Sequence, residues 1–510
     1  MPTTLRSLFT SALDRLRDEP AVTTSSGTYP YRRLVADSNR LAHFLTEHGV
    51  GPGVAVALML SNGAEYVVAD QAVLRCGAIK VPLNDMIGTD EARYILADSG
   101  ARIAFATAAQ LPVALAALAD DATALHTVVS VDGAEPGTTT WADALGDRPT
   151  GLPEIHVDPD TPGLILYTGG TTGRPKGVVH SQSRLVLNLL SQLTETGLGD
   201  DERMLLTSPL PHAAGFLLQA GMLKGAHAHL TRSFEAGEVL DRIERDRITF
   251  LFAVPTMIYR LLDRAAGQDA GARDLSSLRT LLYGAAPITP ERLVQGLDLL
   301  GPVFMQLYGQ SEAPNFITRL RREDHDPARP GRLLSCGRPV AMAEVRIVGD
   351  DGTPCGVGEV GEVAARTPYT MLGYHGLPEK SAETVRDGWL FTGDVGRLDE
   401  DGYLYLVDRK NDMIITGGMN VYSSEVENAV AGVDGVAAVA VVGVPHPDWG
   451  EAVVAFVVGD GVTEVSPAAV IARCREVLSR YKVPKEVRVV PELPVTAVGK
   501  LDKKALRSAW

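Results

Sequence analysis

Cysteine is scarce in this chain: Cys76, Cys336, Cys355 and Cys474 are scattered over 510 residues with no C-x-x-C spacing. That excludes a zinc ribbon and a disulfide framework, and it suits a reducing cytoplasm. Positive charge is also in deficit. With 48 Lys and Arg against 63 Asp and Glu, the formal charge of −15 argues against a nucleic-acid surface as the main function. No apolar run reaches the ~20 residues that a membrane-spanning helix requires. Near the start, Leu5, Leu8, Phe9, Leu13 and Leu16 fall at helical spacing, but Asp14 and Arg15 break any apolar stretch, so an amphipathic helix is expected there and not a signal peptide. Neither an internal repeat nor a low-complexity block is present. A globular chain remains, with 45% hydrophobic and 22% charged residues and room for roughly three domains or subdomains.

What is present is a rhythm. Residues 54–60, 78–82 and 102–105 read as strands, separated by helical stretches at 64–75 and 90–99. The Ala-rich stretch 108–124 favours helix, and 132–162, rich in Gly, Pro, Asp and Thr, reads as a linker region. Strand patterns return at 204–207, 226–230, 249–253, 280–283 and 303–307, with helices at 235–246, 256–265 and 290–299 between them. Strands separated by helices imply crossover connections and a largely parallel sheet. From 335 to 406 short strands with Asp-Gly turns predict hairpins and a barrel-like or mixed part. The expected fold is α/β: a large region 1–408 of mixed and parallel sheets flanked by helices, and a small α+β domain at 409–510.

The stretch around which this rhythm is organised is Leu166-Tyr-Thr-Gly-Gly-Thr-Thr-Gly-Arg-Pro-Lys-Gly-Val-Val179. Glycines let backbone N–H groups approach an anion closely, while Thr hydroxyls and a Lys ammonium add donors and charge. It is a phosphate cradle by composition, though not the usual P-loop, because Pro175 stands where that motif needs Gly. Ser208-Pro-Leu-Pro-His212 follows a strand and opens a helix, so His212 can line a pocket at a strand's carboxyl end. The small residues Gly284, Ala285 and Ala286 after a strand permit a flat ring to lie against backbone. In Gln306-Leu-Tyr-Gly-Gln-Ser-Glu312, Tyr308 could stack on a base, Ser311 could donate to a phosphate, and Glu312 could coordinate Mg²⁺. Asp394, after a tight Thr-Gly turn, supplies a carboxylate that can accept from ribose hydroxyls.

Together these stretches resemble the signature motifs of the adenylate-forming superfamily, which includes acyl- and aryl-CoA synthetases, peptide-synthetase adenylation domains and firefly luciferase. The resemblance runs from about the first helix to the last residues, with every motif in the superfamily's order. It implies that Thr168, Gly169, Gly170, Thr171, Thr172 and Lys176 hold the ATP phosphates, and that Gly284, Ala285, Ala286, Tyr308, Gly309 and Ser311 contact the adenylate. It implies Thr168 and Glu312 as Mg²⁺ contacts, Asp394 and Arg409 at the ribose or phosphate, and His212, Ala213 and Phe216 at the acyl pocket. Asn411 maps to a hinge about which the small domain rotates, Gly417 and Gly418 to a turn lining the pantetheine tunnel of CoA, and Lys500 to the catalytic adenylation lysine. Alone, His212 would be a helix-start residue, Asp394 a turn residue and Lys500 a solvated charge; the ordered series overrides those readings.

Departures are visible. Gly169 stands where many members have Ser, Ser311 where many have Thr, and Asn411 where Asp or Lys is commoner. Amino-acid-activating members carry Asp at the position of Ala213, so the expected acid is not an α-amino acid. The resemblance thus implies a cytoplasmic acid–CoA ligase using ATP, Mg²⁺ and CoA. Arg480, Lys482 and Lys485 are candidates for the CoA 3′-phosphate. A free-standing enzyme that loads an acyl carrier protein shares every motif and remains the alternative, followed by an adenylate-binding protein without turnover.

Overall fold

The computed structural model describes residues 3–168, 174–267, 273–410, 412–495 and 501–510. By its contacts the chain divides into two compact units, Met1–Val345 with Ala365–Leu390, and Arg346–Ala364 with Phe391–Trp510.

The first unit is built on two sheets. In one, the parallel strands His227–Leu230, Arg203–Leu206, Phe250–Ala253, Thr280–Tyr283 and Phe304–Gln310 run side by side, and the chain then turns back as Ala313–Leu320. In the other, Ile103–Ala106, Ala55–Met59, Ile79–Pro82 and Pro162–Thr168 are parallel, and Lys176–Ser181 returns antiparallel from the last of them. Successive side chains on a strand point to opposite faces, and here both faces are apolar. Phe250 and Phe252 enter one core, while Leu251 and Ala253 enter another. Val56 and Leu58 join the first of these cores, whereas Ala55, Ala57 and Met59 face a third.

The shared core holds helices Leu5–Leu13, Tyr31–Glu47, Ala64–Arg75, Gln182–Thr196 and Gly215–Lys224 between the two sheets. Further helices cover the outer faces: Ala236–Arg245, Pro255–Ala265 and Pro290–Leu300 on one sheet, Thr89–Ser99 and Leu111–Leu118 on the other. The expected helix-flanked sheets are therefore present.

Two local expectations need correction. The Ala-rich stretch is helical only at Leu111–Leu118, because propensity is a weak prior beside packing. The stretch expected to be a linker contains helix Trp141–Leu145, whose indole packs edge-on against Phe105 at 6.1 Å.

In the second unit, Trp389–Leu398 pairs with Leu404–Arg409, in keeping with the expected hairpins. A further sheet carries Ile414–Thr416, Met419–Val421, Val436–His446, Gly450–Gly459 and Glu486–Val489, packed against helices Ser423–Ala431 and Pro467–Val477. Asp408 accepts from the Ser423 hydroxyl at 2.9 Å and from its backbone N–H, capping the Ser423–Ala431 helix with a carboxylate.

Candidate active site

In the first unit the expected residues gather at strand ends and hairpin tips. Thr168 and Lys176 are cross-strand partners where the antiparallel pair leaves the sheet. Gly169, Gly170, Thr171 and Thr172 lie outside the described residues, as do Asn411 and Lys500 in the second unit. Arg174 is exposed, with its guanidinium 5.2 Å from the Tyr94 ring centroid. The Lys176 ammonium sits 4.5 Å from the ring centroid of Tyr374, whose strand Gly373–Tyr374 pairs with Val178 and Val179.

Tyr374 also reaches the stretch that carries Ser311 and Glu312. Its hydroxyl donates to Glu312 Oε1 at 2.6 Å. Burial, and then the adjacent carboxylate, push the phenol well above its ordinary pKa, so it stays a proton donor. Ser311 and Glu312 form the tip between antiparallel strands Phe304–Gln310 and Ala313–Leu320, where sequence suggested a simple strand end. Gly309 lies so close to Asn315 that an added Cβ would sit 2.7 Å from its carbonyl oxygen. Three backbone carbonyls fix the tip: Ser311 O accepts from His180 Nε2 at 2.8 Å, Glu312 O from the Met371 N–H at 2.8 Å, and Pro314 O from Asn188 Nδ2 at 2.7 Å.

A carbonyl can only accept, so His180 carries its proton on Nε2. Its side chain is buried, and desolvation drives its pKa down from 6.5 to about 4. The folded protein keeps His180 neutral while an unfolded chain would protonate it near 6.5. Its contribution to stability is complete above pH 6.5 and is lost as pH falls toward 4. Unfolding free energies from urea titrations at pH 7.5 to 4.5 are therefore expected to fall more steeply for the wild type than for His180→Gln, by about 2–3 kcal/mol across the window. Parallel profiles would contradict this assignment.

His212 lies in an irregular turn, Leu210–Ala214, with extended backbone at φ −112° and ψ −149° between the strand and helix Gly215–Lys224. The stretch from Ser208 to Phe216 thus runs from a strand into a helix, with His212 at the junction between them. Asn62 clamps the approach: its amide donates to Ser208 O at 2.9 Å and to Thr231 O at 3.1 Å, and accepts from the Leu210 N–H at 3.0 Å. Asn315, buried at φ +65°, donates to Gln192 Oε1 at 2.9 Å and to Ala213 O at 3.3 Å. Phe216 faces the shared core.

In the turn expected to contact adenine, Gly284 packs against Leu307, Ala285 adopts φ +69°, and Ala285 and Ala286 are exposed. Tyr283 anchors this turn with a hydroxyl 3.0 Å from His325 Nε2. Tyr308 is buried.

In the second unit, Asp394 is not a turn residue: it lies within strand Trp389–Leu398, directly opposite Arg409, and Arg409 Nε stands 3.4 Å from its Oδ1. The tight turn expected before it is reduced to Gly393 at φ +73°. Gly417 and Gly418 form the two-residue turn of a hairpin with φ of +57° and +77°, a left-handed pair that suits glycine. Beside them Trp449 presents a partly exposed indole, stacked on His446 at 4.1 Å, with Lys485 Nζ 4.6 Å from its centroid. Its carbonyl accepts from the Gly417 N–H at 2.8 Å. Of the basic candidates, Lys482 is held by Glu425 at 2.6 Å, so its charge is already neutralised.

Sequence reading missed Tyr374, His180, Asn62, Asn315 and Trp449. No local motif marked them, since each acts on a partner far along the chain.

Helices on both faces of largely parallel sheets, with Gly-rich turns, a Lys and a Glu at strand ends, define a nucleotide-handling α/β enzyme. The chain belongs to the AMP-binding enzyme family: that family's model matches residues 9–375, and the model of the AMP-binding enzyme C-terminal domain matches 425–500. It is 36% identical to the medium/long-chain-fatty-acid–CoA ligase FadD8 of Mycobacterium tuberculosis, over 100% of this chain and 90% of that protein. It is 40% identical to a feruloyl-CoA synthase of Amycolatopsis, over 94% of this chain and 93% of that one. The amide bond synthetase McbA of Marinactinospora thermotolerans superposes with a TM-score of 0.89 at 34% identity, covering 99% of this chain and 100% of the other. The adenylate-forming resemblance, the expected fold class and the reading as an acid–thiol ligase are borne out by this kinship.

Proposed function

We propose that this enzyme converts a neutral carboxylic acid, ATP and CoA to an acyl-CoA, AMP and pyrophosphate. A carboxylate oxygen attacks the α-phosphorus and pyrophosphate leaves; the thiol sulfur then attacks the acyl carbon and AMP leaves. The observation that carries this reading is the Lys176–Tyr374–Glu312 group, which sets an ammonium and a carboxylate on either part of one phenol. Lys176 would hold the β- and γ-phosphates, Ser311 the α-phosphate, and Asp394 with Arg409 the ribose.

Among the described residues no cluster of three or more His, Cys, Asp or Glu could hold a metal ion. The Glu312 carboxylate and the Thr168 hydroxyl of the cradle would be the protein's contacts to Mg²⁺, which prefers one or two carboxylates plus phosphate oxygens and water. When bound, that ion would draw charge from the phosphate oxygens as pyrophosphate leaves.

Lys500 would serve the first half-reaction and the Gly417–Gly418 turn the second, with residues 409–510 as the mobile part and Asn411 as its hinge. CoA over a carrier protein is supported by the Lys485 ammonium beside that turn, a donor for the nucleotide phosphate that CoA carries and a carrier protein's arm lacks. Four cysteines outside any disulfide suit a reducing cytoplasm, and no helix among the described residues is long and apolar enough to cross a membrane.

The acid class follows from His212, Ala213 and Phe216: a pocket edge with no carboxylate for an α-ammonium takes neutral acyl groups. Acid-dependent ATP–pyrophosphate exchange is expected with members of a panel of neutral aryl, alicyclic and aliphatic acids, and not with α-amino acids. Exchange supported by amino acids alone would overturn the assignment of the pocket.

A further inference from the structure

We propose that Tyr374 is a positioning residue for the phosphate site, its hydroxyl fixing the Glu312 carboxylate while its ring seats the Lys176 ammonium. The inference rests on the reading of Glu312 as the metal-binding carboxylate.

Tyr374 is itself firmly held. Its N–H donates to Ser381 Oγ at 2.8 Å, it pairs with Val178 two positions after Lys176, and its side chain is buried. At 2.6 Å the phenol–carboxylate bond is a short, charge-assisted one, of the stronger class. The Glu312 main chain is fixed separately, through Met371 N–H on its own carbonyl and His180 on the carbonyl before it. With backbone and Oε1 both tied, the rotamer of Glu312 is set and its second oxygen is left to accept from a cation.

On the other side, a Lys ammonium 4.5 Å from a ring centroid lies within the range of a cation–π contact. Lys176 and Glu312 are engaged through Tyr374, one at its ring and the other at its hydroxyl. A direct pair would cancel the two charges that a nucleotide and its metal each need; engaging one through the phenol and the other through the ring keeps both available. Groups that orient metal ligands in this way typically tune metal affinity by about 10–100-fold.

The test uses Mn²⁺ as a spin probe with the full chain and an ATP analogue methylene-bridged between the α- and β-phosphates. Free Mn²⁺ is read by electron paramagnetic resonance and metal-free nucleotide binding by calorimetry. Tyr374→Phe keeps the ring and loses the hydroxyl. Its Mn²⁺ affinity in the nucleotide complex is expected to fall about tenfold, with metal-free nucleotide affinity unchanged and the variant still folded. An unchanged Mn²⁺ affinity would overturn the role of the hydroxyl. Tyr374→Leu removes the ring as well and is expected to weaken metal-free nucleotide binding; no such loss would overturn the role of the ring. Glu312→Gln separates this inference from the reading beneath it. If Glu312→Gln leaves Mn²⁺ binding intact, the carboxylate assignment fails. If it abolishes binding while Tyr374→Phe does not alter it, only the role of Tyr374 fails.

Discussion

Lys500→Ala lowers acyl-adenylate formation by at least about 10²–10³-fold and leaves thioester formation from preformed acyl-adenylate intact. Charge develops on the α-phosphate and the attacking carboxylate in the first step, and an ammonium aimed there stabilises that transition state. The second step breaks the acyl–phosphate bond with a thiol and does not need that ammonium. The substitution is expected to leave the fold alone, because the described residues on either side of it are anchored independently. Val495 and Leu501 form an antiparallel bridge, and in the helix that follows Leu506 is buried and Lys503 meets Glu427 at 2.8 Å. Pyrophosphate exchange and conversion of synthetic acyl-adenylate are measured on the same preparation; equal loss in both would refute a role confined to adenylation.

Gly215→Ala has the next largest effect, and it acts through geometry. A Cβ at Gly215 would stand 2.1 Å from the carbonyl oxygen of Leu210, a contact no side chain tolerates. Leu210 resists withdrawal, because its N–H is bound by Asn62 and its side chain is buried in the shared core. The strain is relieved by displacing the Leu210–Ala214 turn, and His212 moves with it. We expect a loss of about 1–3 kcal/mol in stability, typical of overpacking, with a rise in KM for the acid larger than that for ATP. Equal changes in both KM values, or none, would show that the turn does not shape the acid site.

Much of the fold was legible because strands buried on both faces read as continuous apolar runs between helical patterns. Helix Ala64–Arg75 and strand Thr280–Tyr283 begin and end where the sequence places them. Motif residues at strand ends were legible for a related reason: glycines, a Lys and acids in short runs after such strands have few purely structural uses. The short last helix Lys503–Ser508 was not expected, since six residues give too little periodicity to register. The tight turn expected before Asp394 was read from the Thr-Gly pair, whereas pairing with Leu404–Arg409 keeps the stretch in a strand. Tyr374 and Glu312 are 62 residues apart, and His180 and Ser311 are 131 apart. Partnerships of that length are made by the sheet, and no local pattern announces them.

The account turns on the fate of the activated acid. ATP, Mg²⁺ and an accepted acid are incubated with and without CoA, pyrophosphate release is followed, and the products are analysed by mass spectrometry. The account predicts sustained pyrophosphate release only when CoA is present, with acyl-CoA and AMP as products. Turnover that yields no acyl-CoA, with the acyl group recovered as adenylate or on a carrier protein or amine instead, would contradict it.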